Sequence, residues 1–266
     1  MRFPDTDVII IGAGAIGSAI ARELSKYRID VCLLEKEADV CEGTSKANSA
    51  IIHTGFDAPP GSLEASLVTR SNHLFDEVCR DLDVPFARPG ALMVAIDEEQ
   101  MSLLQKNLEK GRANGVCDLK LLNRDDLCKL EPDISPQALG ALFIPRESLI
   151  CPFSYVTALV ENACANDVRL LLETKAERIL TAGGKVTGVE TNRGSIRTKF
   201  VINATGLYTD EISETAGVRH FTITPRKGEF FILDKEARGL VNHIILPVPT
   251  PISKGILVAP TIDGNL

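Results

Sequence analysis

Apolar residues fill Val8 to Ile11, glycines follow at positions 12, 14 and 17, and a second apolar block from Val31 to Leu34 ends on Glu35. This order predicts a strand, a glycine turn, a helix from about Ala15 and a second strand. Leu63, Leu67, Leu74 and Val78 then recur at helical spacing, so 63–82 is expected to be helical. Residues 86–96 read as a strand broken by Pro89 and Gly90, and Asp97 with Gln100 signals the start of a helix reaching about Arg112. A short helix is expected at 123–130, a short strand at 141–144, and a helix from Pro152 to about Ala165. Three β-rich runs at 170–180, 185–191 and 195–204, separated by the turns 182–184 and 192–194, predict a meander. After a helix at 208–216, the runs 222–233, 243–248 and 255–262 read as longer strands.

These elements give an α/β class, α+β overall, with two discontinuous domains. Residues 1–82 with 152–220 would form a Rossmann-like dinucleotide domain with a β-meander, and 83–151 with 221–266 a mixed-sheet substrate domain. The glycine motif explains the first assignment. Gly12 permits the tight turn, Gly14 lets backbone approach a pyrophosphate, and Gly17 lets the helix lie against the sheet. Ala13, Ala15 and Ile16 complete the turn, and the helix directs its free amides at the phosphates. Glu35 is placed to accept from ribose hydroxyls. The motif leaves FAD and NAD equally open.

Composition narrows the classes. The 266-residue chain carries a net charge of -7 with dispersed basic residues, which disfavours nucleic acid as a partner. The apolar stretch 8–21 is interrupted by glycines and falls short of the ~20 residues of a membrane span. No leader-like segment precedes Asp7, so the expectation is a cytoplasmic protein, at most peripheral at a membrane through its electron acceptor. Seven scattered cysteines lack CxxC or metal-like spacing and read as reduced, mostly buried thiols; no metal is expected.

The run 42–62, EGTSKANSAIIHTGFDAPPGS, is too rich in breakers for a long regular element and is where function would sit. Together with TSKANSAIIHTGFDAPPGSLEASL (44–67), ITPRKGEFFILDK (223–235) and LVAPTIDGNL (257–266), the chain resembles the D-amino-acid-oxidase-like superfamily of FAD-dependent oxidoreductases. Within it, the resemblance is to the branch holding anaerobic-type glycerol-3-phosphate dehydrogenase and L-2-hydroxyglutarate dehydrogenase. It implies FAD as cofactor, with Glu35 on the adenosine ribose, Lys36 beside the adenine, and Thr44 with Ser45 on the pyrophosphate. It further implies that Asn48 and Ser49 line the flavin, that Ala176 meets the adenine through its backbone, and that Asn203, Ala204, Thr205 and Gly206 cover the pyrophosphate. Members of this family continue past a DGNL-like segment, so a C-terminally truncated chain with an incomplete substrate domain is expected.

Flavin oxidation of an alcohol needs a base for the hydroxyl proton and a charge to hold the substrate. His53 is the base candidate, against a structural or merely flavin-adjacent histidine; His73, His220 and His243 read as structural or exposed. Arg226 is the candidate for catalysis and anion binding, against an exposed basic pair with Lys227. Lys254 is a second substrate-binding candidate, and Lys46 an alternative partner for the pyrophosphate. The expected reaction is FAD-dependent oxidation of a small anionic hydroxy substrate, foremost sn-glycerol 3-phosphate. L-2-hydroxyglutarate or an amino acid is the alternative substrate, and a truncated, non-catalytic dinucleotide-binding fragment is the alternative class. An NAD-dependent dehydrogenase is disfavoured by the meander and the GTS loop.

Overall fold

The structure is a computed structural model describing residues 3–249 and 255–266. In chain order the first elements are β1 (Val8–Ile11), α1 (Ala15–Leu24), β2 (Val31–Leu34), β3 (Ile51–Ile52), α2 (Leu63–Asp81), β4 (Phe86–Ala87) and β5 (Ala91–Ala95). Next come α3 (Glu98–Ala113), β6 (Lys120–Asn123), α4 (Arg124–Leu130), β7 (Gly140–Ile144), β8 (Ser148–Ile150) and α5 (Pro152–Ala165). The remainder is β9 (Arg169–Leu171), β10 (Ala176–Ala182), β11 (Lys185–Thr191), β12 (Gly194–Arg197), β13 (Phe200–Asn203), α6 (Thr209–Thr215) and β14 (Ile244–Pro247).

Two compact units result, Met1–Asn48 with Pro152–Glu229 and Ser49–Cys151 with Phe230–Leu266. The expected boundaries of 82/83 and 220/221 therefore shift. Residues 49–82 cluster with the second unit because Ile51 pairs with Leu149 and Phe56 is buried among Leu104, Leu108 and Leu119.

The first unit is built on a four-stranded sheet of order β13-β1-β2-β9, parallel throughout. Val8 and Ile10 face a core shared with Ala21 of α1 and with Val156, Val160 and Ala163 of α5. Ile9 and Ile11 face the opposite way, onto Ala176, Ile179, Val189 and Ile196 of the antiparallel β10-β11-β12 meander. Covering on both faces is why β1 reads as continuous apolar residues rather than alternating ones.

Two expected runs divide. The 170–180 run breaks after β9, where Glu173 takes a positive φ of 50° and Glu173 N–H and Thr174 N–H donate to the carbonyls of Glu37 and Glu35. These bonds hook the chain onto the end of β2 before β10 starts the meander. The 195–204 run breaks at Thr198, whose hydroxyl donates to the Asp7 carbonyl at 2.9 Å. β12 ends the meander, and β13 pairs with β1 instead.

In the second unit a sheet of order β14-β5-β7-β6 buries Met93, Leu142 and Ile244 against α3, and a smaller sheet of order β3-β8-β4 lies in the same unit. Asp97 caps α3 by accepting from Gln100 N–H at 2.8 Å, as the sequence signal implied. The expected strands at 222–233 and 255–262 do not form. The first is irregular, with Phe231 93% and Ile232 76% exposed, and the second contributes only the Ile245–Val258 bridge. An alternating pattern makes a strand only where a neighbouring edge pairs with it along several residues; 222–233 pairs with no strand among the described residues, and 255–262 meets β14 at the single Val258 position. Of the cysteines, Cys32, Cys41 and Cys79 are buried, whereas Cys117 and Cys164 are exposed.

A buried asparagine ties the second unit's helix to its sheets. Asn72 on α2 is 2% exposed, and its amide donates to the carbonyls of His53 at 3.2 Å and Arg146 at 3.1 Å. Its Oδ1 accepts from Arg88 and Arg146, and Arg88 also reaches Asp76, Ser148 and the Arg146 carbonyl. The hydrogen bond from Arg88 holds the Asp76 carboxyl below its usual range. Replacing Arg88→Met should cost about 2 kcal/mol in urea unfolding, because it strips donors from half-buried acceptors. Asp76 contributes stability above its unfolded value of 3.8 and loses it as pH falls further, so the variant's deficit should shrink toward pH 3.8 and below.

Candidate functional site

The glycine turn lies at the C-terminal end of β1, where its neighbours β2 and β13 depart in opposite directions along the sheet. Open parallel sheets bind ligands at such a switch point. Gly12 has φ +102°, and a Cβ there would stand 2.5 Å from the Ala204 carbonyl oxygen. At Gly17 a Cβ would stand 1.9 Å from the Gly12 carbonyl oxygen, so only glycine lets α1 start this close to the strand. A Cβ at Gly14 would meet the Ser45 hydroxyl at 2.9 Å.

Glu35 is buried at the end of β2. Its carboxylate accepts from Ala13 N–H at 2.9 Å and from Glu37 N–H at 3.0 Å, one bond to each oxygen. A carboxylate offers about four acceptor positions, so capacity for ribose hydroxyls persists after Glu35 has braced the turn. The first-turn amides of a helix have no intrahelical acceptors; here Ser45 Oγ accepts from Ala15 N–H at 2.9 Å. That leaves the Ser45 hydroxyl hydrogen for an anion, and the largely exposed Ile16 flanks the same turn. Cys41 N–H donates to the Ala13 carbonyl at 3.1 Å, holding the following loop beside the turn.

Thr44 and Ser45 lie in a 3-10 turn, Thr44–Lys46, whose carbonyls at Thr44 and Ser45 accept from the Asn48 amide. Lys46 pairs with Glu42; Ser49 is half-buried and opens the second unit. Asn203 binds inward, donating to the Thr209 carbonyl and Ser213 and accepting from Thr205, which shapes Ala204 to Gly206. Gly206 takes φ +60° with open space around it. Ala176 is buried at the start of β10 opposite Thr191. Lys36 lies 4.5 Å over the ring of Tyr208, a residue that sequence reasoning passed over. An FAD fits these groups: glycine-lined space, helix amides, a serine hydroxyl and a carboxylate with spare lone pairs.

In the second unit, His53 is half-exposed and its Nδ1 lies 3.0 Å from Oε2 of Glu147, whose side chain is fully buried. Oε1 of Glu147 accepts from Thr54 N–H at 2.7 Å and the Thr54 hydroxyl at 3.0 Å. Glu147 was absent from the sequence candidates. Its signal was faint: a carboxylate in the polar PRES step between the apolar runs that become β7 and β8. His243 is bound at 2.6 Å to buried Glu131, which also accepts its backbone N–H, so this pair anchors the start of β14. Arg226 lies exposed on the irregular stretch that replaces the expected strand, and Lys254 is outside the described residues. Among the described residues no group of three metal-ligating side chains gathers, and no helix is long and apolar enough to cross a membrane.

The family model for FAD dependent oxidoreductases, DAO, matches residues 7–266. The chain belongs to that family. Its cofactor is therefore FAD, a choice the motif had left open. A glycerol 3-phosphate dehydrogenase of Caloramator mitchellensis is 44% identical over 98% of this chain and 54% of its own length. A mitochondrial L-2-hydroxyglutarate dehydrogenase of Nematostella vectensis is 30% identical over 98% of this chain and 60% of its own length. The chain thus spans little more than half of these curated relatives. A solved structure of dithionite-reduced L-alpha-glycerophosphate oxidase from Mycoplasma pneumoniae with FAD bound matches at TM-score 0.86 and 29% identity, covering 99% of this chain and 70% of that one.

Gly17→Ala should lower stability by about 3 kcal/mol and abolish the rise in melting temperature on adding FAD, because its Cβ meets backbone. Ser45→Ala should cost about 1 kcal/mol in the melt without FAD, for the lost Ala15 bond, and weaken FAD about fivefold, roughly 1 kcal/mol, by titration.

Proposed function

We propose that this chain serves FAD-dependent dehydrogenation of a small anionic alcohol, sn-glycerol 3-phosphate before L-2-hydroxyglutarate. The observation that carries the reading is the half-exposed His53 held by a buried carboxylate, in a member of a flavin oxidoreductase family. The substrate order follows the relatives, 44% identity to a glycerol 3-phosphate dehydrogenase against 30% to an L-2-hydroxyglutarate dehydrogenase.

FAD, when bound, supplies the acceptor for the hydride leaving the carbinol carbon. His53 takes the hydroxyl proton, leaving a carbonyl product, and Arg226 pairs with the substrate phosphate or carboxylate. Glu35, Ser45 and the first turn of α1 hold the dinucleotide by the contacts their geometry offers. Thr44, Asn48, Ser49, Ala176, Thr205 and Gly206 complete its proposed binding set, with Lys36 at the adenine end. Lys254 is kept as a second anion contact. Turnover also needs an electron acceptor that restores oxidised FAD. We place the reaction in the cytoplasm, where exposed thiols such as Cys117 and Cys164 stay reduced.

Under anaerobic conditions, sn-glycerol 3-phosphate should bleach the flavin absorbance near about 450 nm, faster than L-2-hydroxyglutarate does. His53→Asn should slow that bleaching by about 10²–10⁴, and Arg226→Ala should raise KM about tenfold or more. A protein that takes up FAD yet is bleached by neither substrate overturns this function. A colourless protein whose melt ignores FAD would instead favour a non-catalytic fragment.

A further inference from the structure

We propose that Glu147 is a positioning residue that selects the tautomer of His53, with Thr54 dictating which way Glu147 acts. This deepens the proposed role of His53 as base and rests on it. A neutral imidazole carries one N–H, and the hydrogen bond at one nitrogen decides which lone pair the other presents. His53 Nδ1 faces Oε2 of a fully buried carboxylate at 3.0 Å, and a carboxylate can only accept. The N–H is therefore drawn to Nδ1, and Nε2 is left as the proton acceptor.

The carboxylate has little freedom to do otherwise. Oε1 is held by both the backbone N–H and the hydroxyl of Thr54, the residue that follows the histidine. Oε2 makes no hydrogen bond among the described residues, so the His53 Nδ1 standing 3.0 Å away faces lone pairs that no other described group occupies. The guanidinium of the adjacent Arg146 is engaged with Asn72 and Asp76. The backbone of the histidine is pinned as well, its carbonyl accepting from the buried Asn72 amide. Backbone, ring and carboxylate are thus held within one unit, so the arrangement exists before substrate arrives.

The same geometry predicts an unusual consequence for an isosteric change. In Glu147→Gln, the two Thr54 donors hold the amide oxygen, which turns the amide NH₂ toward His53. An NH₂ can only donate, so the neutral ring moves its hydrogen to Nε2 and the acceptor disappears from the reacting side. A structural role would cost stability without inverting the ring.

The test is ¹⁵N NMR of the imidazole in the FAD-loaded full chain, at a pH where the ring is neutral, with His53 assigned by the His53→Asn spectrum. We expect an N–H at Nδ1 in the parent protein and at Nε2 in Glu147→Gln. Glu147→Asp, which keeps the charge, should restore the Nδ1–H form at least in part. Flavin reduction at saturating substrate should fall by about 10²–10⁴ in Glu147→Gln with KM changed only a few-fold. A parent ring in the Nε2–H form overturns the proposal without any variant, so it stays testable should Glu147→Gln fail to fold. An unchanged tautomer in a folded Glu147→Gln protein overturns it too. Normal flavin reduction in Glu147→Gln beside a slow His53→Asn sinks the positioning role alone. Normal reduction in His53→Asn removes the base reading and with it the catalytic meaning of Glu147, while the NMR result still decides the tautomer itself.

Discussion

The approach of α1 to the end of β1 is the constraint on which the first unit depends. With the Gly12 carbonyl oxygen 1.9 Å from where a Gly17 Cβ would stand, no side chain is tolerated at that crossing. That proximity brings the free amides of the helix to the switch point between β2 and β13, and it brings Ala204 against Gly12 from the other side. Glu35 then braces the turn through Ala13, and Ser45 completes the helix start through Ala15. Binding groups from distant stretches of sequence converge because one strand and one helix can touch.

Polar groups do comparable work in the second unit, but from inside. Asn72 joins α2 to the backbone at His53 and Arg146, and Glu147 joins the chain at Thr54 to the step between β7 and β8. A buried carboxylate is costly unless its oxygens are met by donors or charge; two Thr54 donors satisfy Oε1, and His53 Nδ1 stands 3.0 Å from Oε2. The chemistry proposed for His53 thus grows out of a structural necessity: the group that stabilises the buried charge is the one whose tautomer the charge selects.

The glycine turn, both flanking strands and most helices were legible in the sequence because their causes are local. Gly12, Gly14 and Gly17 state a backbone requirement, and Asp97 with Gln100 states a cap. The errors were of another kind. Runs 170–180 and 195–204 each looked like one strand, since apolar and β-branched residues continue through the break; only the bonds from Glu173, Thr174 and Thr198 show where the chain changes sheets. Short β3, β6 and β8 carry too few residues for a period to show, and each exists because a partner strand pairs with it.

The sequence by itself determined the glycine turn, the acid that follows it, the α/β class and the family resemblance, because these depend on residue type at fixed spacing. Tertiary structure alone decided that 49–82 clusters with the second unit, that 222–233 forms no strand, and that Glu147 stands behind His53. Those facts depend on pairing and burial between residues far apart along the chain. His53 and Glu147 are separated by 94 positions, 147 less 53, and no local pattern encodes a contact of 3.0 Å across that distance.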